Sequence, residues 1–251
     1  MLPNPAFSAS SVSRIAIESH PGVRLDARRA VWLEESSTLA VADLHLGYAW
    51  AHRHSGQLLP LSAPDTSLAR LHALIAEYQP RQLAVLGDIV HRAVPVEALE
   101  ADLLRLCEDL GAQTSLRLIS GNHDRALAGL LQRCGIAVGL DHAIAVRPHL
   151  LLHGESQDET EAAQLTAEAR TRGGQIFMGH EHPAIRVGDG VTSVKCPCFL
   201  SSPQLIVLPA FSEWSAGSPV RSGGFMSALA NGAKFGTAYA ILAGKLLPLR
   251  L

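Results

Sequence analysis

Five apolar runs in this 251-residue chain each close on a short cluster of Asp, His, Asn and Gly. TLAVADL (38–44) leads into Asp43-Leu44-His45, and QLAVLGD (82–88) into Gly87-Asp88-Ile89-Val90-His91. SLRLISG (115–121) leads into Gly121-Asn122-His123-Asp124, HLLLHG (149–154) into His153-Gly154, and QIFMGH (175–180) into Gly179-His180-Glu181-His182. A run of four to eight apolar residues ending on turn formers reads as a buried strand. Polar side chains delivered at such ends emerge together at one edge of a sheet, where open sheets hold their ligands. Any fold for this chain has to gather those five ends.

Helical patterns fall between the runs. Residues 65–79 read as a helix, N-capped by Asp65 after Pro64 and stopped by Pro80, with Leu68, Leu71, Ile75 and Tyr78 on one face. A second helix is expected over about 96–110, where Val96, Leu99, Leu103, Cys107 and Leu110 keep helical spacing, and a short one up to Arg133. A Glu-rich helix is expected over 158–171. VRLD (23–26), RAVWL (29–33), IAVRP (144–148), AIRV, SVKCPCFL, QLIVLPAF and the terminal AYAILAGKLLPL read as strands. The sum is one α+β domain over 1–251, a mixed sheet pair with helices outside. The Gly-, Ser- and Ala-rich stretch 212–237 has no period and reads as a long loop.

Composition excludes several classes. With 47% hydrophobic and 18% charged residues the chain can bury a core, so it is neither disordered nor fibrous. No apolar run is long enough to span a bilayer, and MLPNPAFSASSVSR lacks a basic segment followed by an apolar one; a cytoplasmic protein without membrane contact is expected. Four Cys fit a reducing compartment. The net charge of −2 gives no global basic field for nucleic acid. Of the 21 basic residues 18 are Arg, which fits either codon composition or local phosphate-gripping forks.

The chemistry lies in the 12 His, six of which fall in the five clusters. Asp43 and His45 are two apart, as are His180 and His182, so on a strand each pair would face one side. Carboxylate, imidazole and amide donors suit Mn²⁺, Fe²⁺ or Zn²⁺ in an open site, and the lack of thiolates argues against a closed structural zinc. Gly87, Gly121, Gly154 and Gly179 would let the backbone turn sharply beside the ions. Any one such cluster alone is more often a turn; five in order are not coincidence.

The ordered set D-x-H, G-D-x-x-H, G-N-H-D, H-G and G-H-x-H resembles the calcineurin-like metallophosphoesterase superfamily over residues 38–186. The resemblance implies a two-sheet β-sandwich flanked by helices and two divalent metal ions. It implies one ion on Asp43, His45 and His182, a second on Asn122, His153 and His180, and Asp88 bridging them. His123, beside a ligand, is the candidate general acid. His91 or Asp124 could orient it, although Asp124 reads first as the N-cap of the next helix. Many members carry Asp where this chain has His91, and His is similar to the DNA-nuclease branch.

ADLHLGYAWAHRHSGQLLP (42–60), LGDIVHR, GNHDR, GHEHPAI, CPCFL and LPAFS are also similar to a narrower group. These are small stand-alone phosphoesterases of the PdeM or MPE type, related to SbcD and encoded near DNA ligases and Lhr-type helicases. That likeness implies an Mn²⁺-dependent phosphodiesterase and single-strand DNA endonuclease in a DNA-repair setting, with a helicase or ligase partner and a homodimer as further expectations. Arg53, Arg92 and Arg125 flank three motifs and could grip a phosphodiester backbone, or be solvated surface. His52 and His54 read as rim residues, and Tyr48 and Trp50 as base-stacking rings or, for Trp50, packing. Cys196 and Cys198 read as buried strand residues. A small-molecule phosphoesterase and a non-catalytic scaffold of the same fold are the competing readings.

Overall fold

The computed structural model describes residues 15–57, 66–92, 97–188, 191–215, 217–220 and 224–251. The opening MLPNPAFSASSVSR, the expected cap Asp65 and Val96 lie outside the described residues. The first sheet begins as an antiparallel meander of β1 (Ala16–His20), β2 (Val23–Asp26), β3 (Ala30–Leu33) and β4 (Thr38–Ala42). From β4 it turns parallel, through β5 (Gln82–Leu86), β6 (Ser115–Ile119) and β7 (Leu140–Asp141). Helices α1 (Tyr48–His54), α2 (Thr66–Tyr78), α3 (Glu97–Leu104) and α4 (Leu127–Arg133) make its crossovers.

The second sheet contains β8 (Ala143–Val146), β9 (His149–Leu152), β10 (Ile176–Met178), β11 (Pro183–Gly188), β12 (Ser193–Ser201), β13 (Leu205–Val207) and β14 (Ser218–Pro219). Its order is β14-β11-β12-β13-β10-β9-β8, and the hairpin β15 (Thr237–Leu242)–β16 (Lys245–Arg250) pairs on to β12. Helices α5 (Glu159–Arg172) and α6 (Ala228–Gly232) complete the chain. Asp158 caps α5 by accepting from the Thr160 and Glu161 amides at 2.8 and 3.1 Å.

Strand alternation sorts the core into layers. Leu39, Val41, Leu83 and Val85 pack with Leu71, Leu74, Leu99 and Leu103 of the helices, whereas Ala40, Ala42, Ala84 and Leu86 join Phe177, Phe199 and Ile206 between the sheets. Ile176, Met178, Leu205 and Val207 turn outward against Ala162, Ala169 and Leu229. Both faces of the central strands are covered, so these strands read as continuous apolar runs. The result is an α+β sandwich of two mixed sheets with helices on both outer faces. Cys196 and Cys198 are buried in β12. Among the described residues no helix is long and apolar enough to cross a membrane.

Several boundaries differ from the sequence reading. The strand expected over 38–44 stops at Ala42, because Asp43 takes a left-handed backbone with φ of 56°. The helix expected over 96–110 changes at Leu104 into a π-helical turn, Arg105–Leu110, which still buries Leu106, Cys107 and Leu110. The stretch 212–237 is not one loop. It contributes β14 and α6, the latter capped where Ser227 accepts from the Ala230 amide at 3.3 Å. β1 and α1 carried no recognisable pattern.

Phe177 is fully buried between the sheets. Phe177→Ala is expected to cost about 3–5 kcal/mol. Urea unfolding checks this as a lower midpoint at unchanged slope; a loss under about 1 kcal/mol would contradict the layer assignment.

Candidate metal centre

Parallel pairing sets the geometry of the site. β4, β5 and β6 run parallel, so their carboxyl ends share one edge, and β9, β10 and β13 do the same in the second sheet. Beyond the strands the loops stay in step. The amides of Asp43, His45 and Leu46 donate to the carbonyls of Gly87, Asp88 and Ile89 at 3.2, 2.8 and 2.9 Å. The two edges are then joined across the sandwich. The His180 amide donates to the Asp43 carboxylate at 3.1 Å, and His153 Nδ1 donates to the Leu86 carbonyl at 3.1 Å.

The same-face argument for Asp43/His45 and His180/His182 does not hold, because none of the four lies in a strand. Asp43, His45, Asp88, His180 and His182 all have positive φ, at 56°, 47°, 47°, 66° and 45°. Left-handed backbone outside Gly is strained, and here it turns each side chain inward just after a strand ends. The glycines act in two ways. Gly87, at φ of 74°, needs a left-handed turn, and a Cβ there would also strike the His153 ring. Gly121 is needed for space alone, because its Cβ would collide with the Asp88 carboxylate and amide.

All seven expected ligands converge. Asp43, His45, Asp88 and His182 bring one donor atom each within 4.8 Å of one another, and Asp88, His153 and His180 form a second such group. Asp88 belongs to both groups, as a bridging carboxylate would. Asn122 joins the second group through Oδ1, 3.1 Å from His153 Nε2. His45 Nε2 lies 3.3 Å from His182 Nε2, and His180 Nδ1 lies 3.2 Å from His153 Nε2. Imidazole nitrogens facing each other this closely fit donors gathered around a cation. The His153 Nδ1 bond to Leu86 leaves its Nε2 lone pair directed at the site. His182 is held likewise, its Nδ1 2.8 Å from Ser215 Oγ.

Charge is set by burial and by these neighbours. Burial alone would raise Asp43, but His182, by charge and hydrogen bond, together with His153 and His45, brings it down to about 2. Burial drives His45 down to about 3 against the pull of Asp43, so it stands neutral and ready to ligate. His180 is lowered by burial and by His153. Burial would lower His182, yet Asp43 outweighs it and the ring ends above its ordinary value. Asp88 is raised, chiefly by burial.

The family model for calcineurin-like phosphoesterases matches residues 36–181, the segment that contains β4 and all but one of these donors. The chain belongs to the calcineurin-like phosphoesterase family. Members use a binuclear metal centre, and the donor set here fits one. The crystal structure of the nuclease MPE from Pseudomonas putida is similar in fold, with a TM-score of 0.65 and 24% identity over 95% of this chain and 100% of that one. YfcE, a phosphoesterase from E. coli, aligns at a TM-score of 0.40 and 12% identity over 85% of this chain and 98% of that one. No curated protein matches the sequence.

Within this calcineurin-like phosphoesterase the candidate acid His123 sits at the rim. Its amide donates to Asp88 Oδ1 at 2.9 Å and its Nδ1 donates to the His91 carbonyl at 2.8 Å. The backbone of His91 therefore orients His123, while the His91 ring packs 5.3 Å from it. Burial, then His123, His52 and Arg92, lower His91 to about 4. A third donor group, His45, His91 and His123, also lies within 4.8 Å.

Asp124 is not a helix cap. Its buried carboxylate accepts from the amides of Ile89, Val90 and Gly121 at 3.1, 3.1 and 2.9 Å, locking two ligand loops together, and α4 begins three residues later without it. Burial pushes it up to about 6 even against those three donors. Arg53, Arg92 and Arg125 are exposed, and Arg92 reaches Ser55 Oγ at 3.2 Å. Trp50 is half-buried on α1.

Four roles escaped the sequence reading. Glu181 is buried and accepts from the Met226 and Ser227 amides, pinning the segment before α6. Its place between two ligands was the available signal. Ser215, which fixes the His182 ring, and Arg29 and Arg70, which donate to carbonyls of 210–212, gave none.

Two outcomes are expected from metal titration. A methyl at residue 121 displaces Asp88, so Gly121→Ala should fold, by circular dichroism, but lose uptake of both ions; full uptake would contradict the bridging position. His182 is raised from 6.5, so near neutral pH it still holds part of its proton, whereas His45 holds none. An incoming ion displaces that proton. Affinity should therefore rise as pH climbs through the raised His182 value and fall below it, with proton release visible by calorimetry in buffers of different ionisation heat.

Proposed function

We propose that this chain is a two-metal phosphodiesterase that cleaves DNA, as an endonuclease acting on single-stranded or unpaired segments, with Mn²⁺ as its metal. The observation that carries the reading is the pair of donor groups sharing Asp88 beside a rim histidine whose ring is fixed by a carbonyl. The N/O donor set without thiolate suits Mn²⁺, and Fe²⁺ or Zn²⁺ would be held by the same residues. For DNA over a small ester, the support is His91 in the second motif, exposed arginines beside three motifs, and the nuclease among the structural neighbours.

Asp43, His45 and His182 would hold one ion, Asn122, His153 and His180 the other, and Asp88 both. When bound, such a pair supplies Lewis acidity that activates water and neutralises phosphoryl oxygens. The remaining work falls to side chains of this chain. Leu86 and Ser215 fix the ring orientations of His153 and His182, so binding requires no rearrangement of those ligands. Because His123 Nδ1–H is committed to the His91 carbonyl, the proton of the imidazolium available for transfer is on Nε2. Donated to the departing sugar oxygen, it spares that oxygen from leaving as an alkoxide. Arg53, Arg92 and Arg125, exposed beside three of the motifs, would hold flanking phosphates by charge.

His123→Ala should keep both ions and lose about 10²–10⁴-fold in phosphodiester cleavage. The assay is nicking of circular single-stranded DNA with Mn²⁺, beside an aryl phosphodiester and an aryl phosphomonoester. Nicking that persists in His123→Ala contradicts the assignment of the acid. Ester cleavage by wild type with an intact circle moves the substrate to a small molecule.

A further inference from the structure

A row of aromatic rings leads away from the site. The Tyr48 ring centroid lies 4.5 Å from that of His91, and His91 lies 5.3 Å from His123 and 5.6 Å from His45. On its outward side Tyr48 meets Trp214 at 5.8 Å, with planes only 9° apart. Trp214 is nevertheless 39% exposed, so part of a large apolar ring faces water at the rim of a catalytic centre.

The ring is not on a loose segment. Phe211 and Ser212 donate their amides to the carbonyls of Ala42 and Asp43 at 2.7 and 3.1 Å, and Ser215 reaches the ligand His182. Arg29 donates to the carbonyls of Ala210 and Ser212 at 3.0 and 2.5 Å. Arg70 donates to the Phe211 carbonyl and to Glu213, with its guanidinium 4.1 Å over the Phe211 ring. The Trp214 amide itself donates to Ser212 Oγ at 3.3 Å. An exposed indole braced this way pays little ordering entropy on binding, so its contact energy is retained.

We propose that Trp214, backed by Tyr48, is a stacking subsite for an unpaired nucleobase next to the scissile phosphate. The inference rests on the nuclease reading and names what that site selects. Every base offers a flat π face, so stacking is tolerant of sequence but demands that the base be free of its own duplex stack. The subsite thus favours single strands, frayed ends and flipped nucleotides, and gives nothing to an ester whose alcohol lacks a ring.

The test follows tryptophan fluorescence and affinity for an oligothymidine of about a dozen nucleotides and for an abasic backbone of equal length, in chelator so that nothing is cut. Wild type should be quenched by the oligothymidine and bind it more tightly than the abasic strand. Trp214→Ala should fold, lose the quench and bind the oligothymidine about 10-fold or more weakly, and Trp214→Phe should recover part of that loss. Wild-type affinity in Trp214→Ala, with the preference for bases intact, overturns the subsite. If wild type nicks single-stranded DNA in the separate Mn²⁺ assay but binds both strands equally here, the subsite falls and the nuclease reading stands. If wild type neither binds nor cuts DNA, the nuclease reading fails and the subsite with it.

Discussion

The Asp88 carboxylate is the contact on which the rest of the site depends. It is common to both donor groups, accepts the His123 amide, and occupies space left open by Gly121. Its own backbone carbonyl receives the His45 amide, so the loops after β4 and β5 move together. Burial disfavours its charge, and the nearby Asp43 carboxylate adds to that. The surrounding imidazoles compensate Asp43, but Asp88 is left poorly compensated by the protein alone. Two divalent ions are the natural counter-charge, and the architecture reads as a frame for placing them.

That placement has a structural cost. Five of the expected ligands adopt left-handed backbone, at about 1–3 kcal/mol each. The compensation lies close by, in the apolar layer between the sheets and in hydrogen bonds that cross from one strand end to the next. Asp124 contributes two of these bonds and a third within its own loop, and Glu181 adds two to the segment before α6, each from a buried carboxylate with no place in the donor groups. Such residues brace the expected ligands without joining the donor groups, and substitutions there would act through geometry.

The gathering of the expected donors was legible because each follows an apolar run, and parallel strands carry such endings to one edge. The sandwich was legible for a related reason: strands covered on both faces are apolar throughout. What failed was local. Spacing by two suggested strand faces, whereas the backbone turns left-handed at Asp43, His45, His180 and His182, a conformation that Asp and His adopt more readily than most residues but that their presence alone does not dictate. Asp124 has the composition of a cap, and only the folded chain shows its carboxylate accepting two amides from the loop after β5 and one from its own loop. The Trp214 loop was hidden for another reason. Its braces, Arg29 and Arg70, lie more than 140 residues away in sequence, and short-range pattern is silent on such pairs. β14, at two residues, is shorter than any periodicity can register.

Two ions are expected to flank Asp88. Anomalous diffraction from Mn²⁺-loaded crystals tests it most directly. Two peaks are expected, one on each side of the Asp88 carboxylate, one against Asp43, His45 and His182 and the other against Asn122, His153 and His180. A single peak, or an ion held instead by His45, His91 and His123 with Asp88 uninvolved, would contradict it.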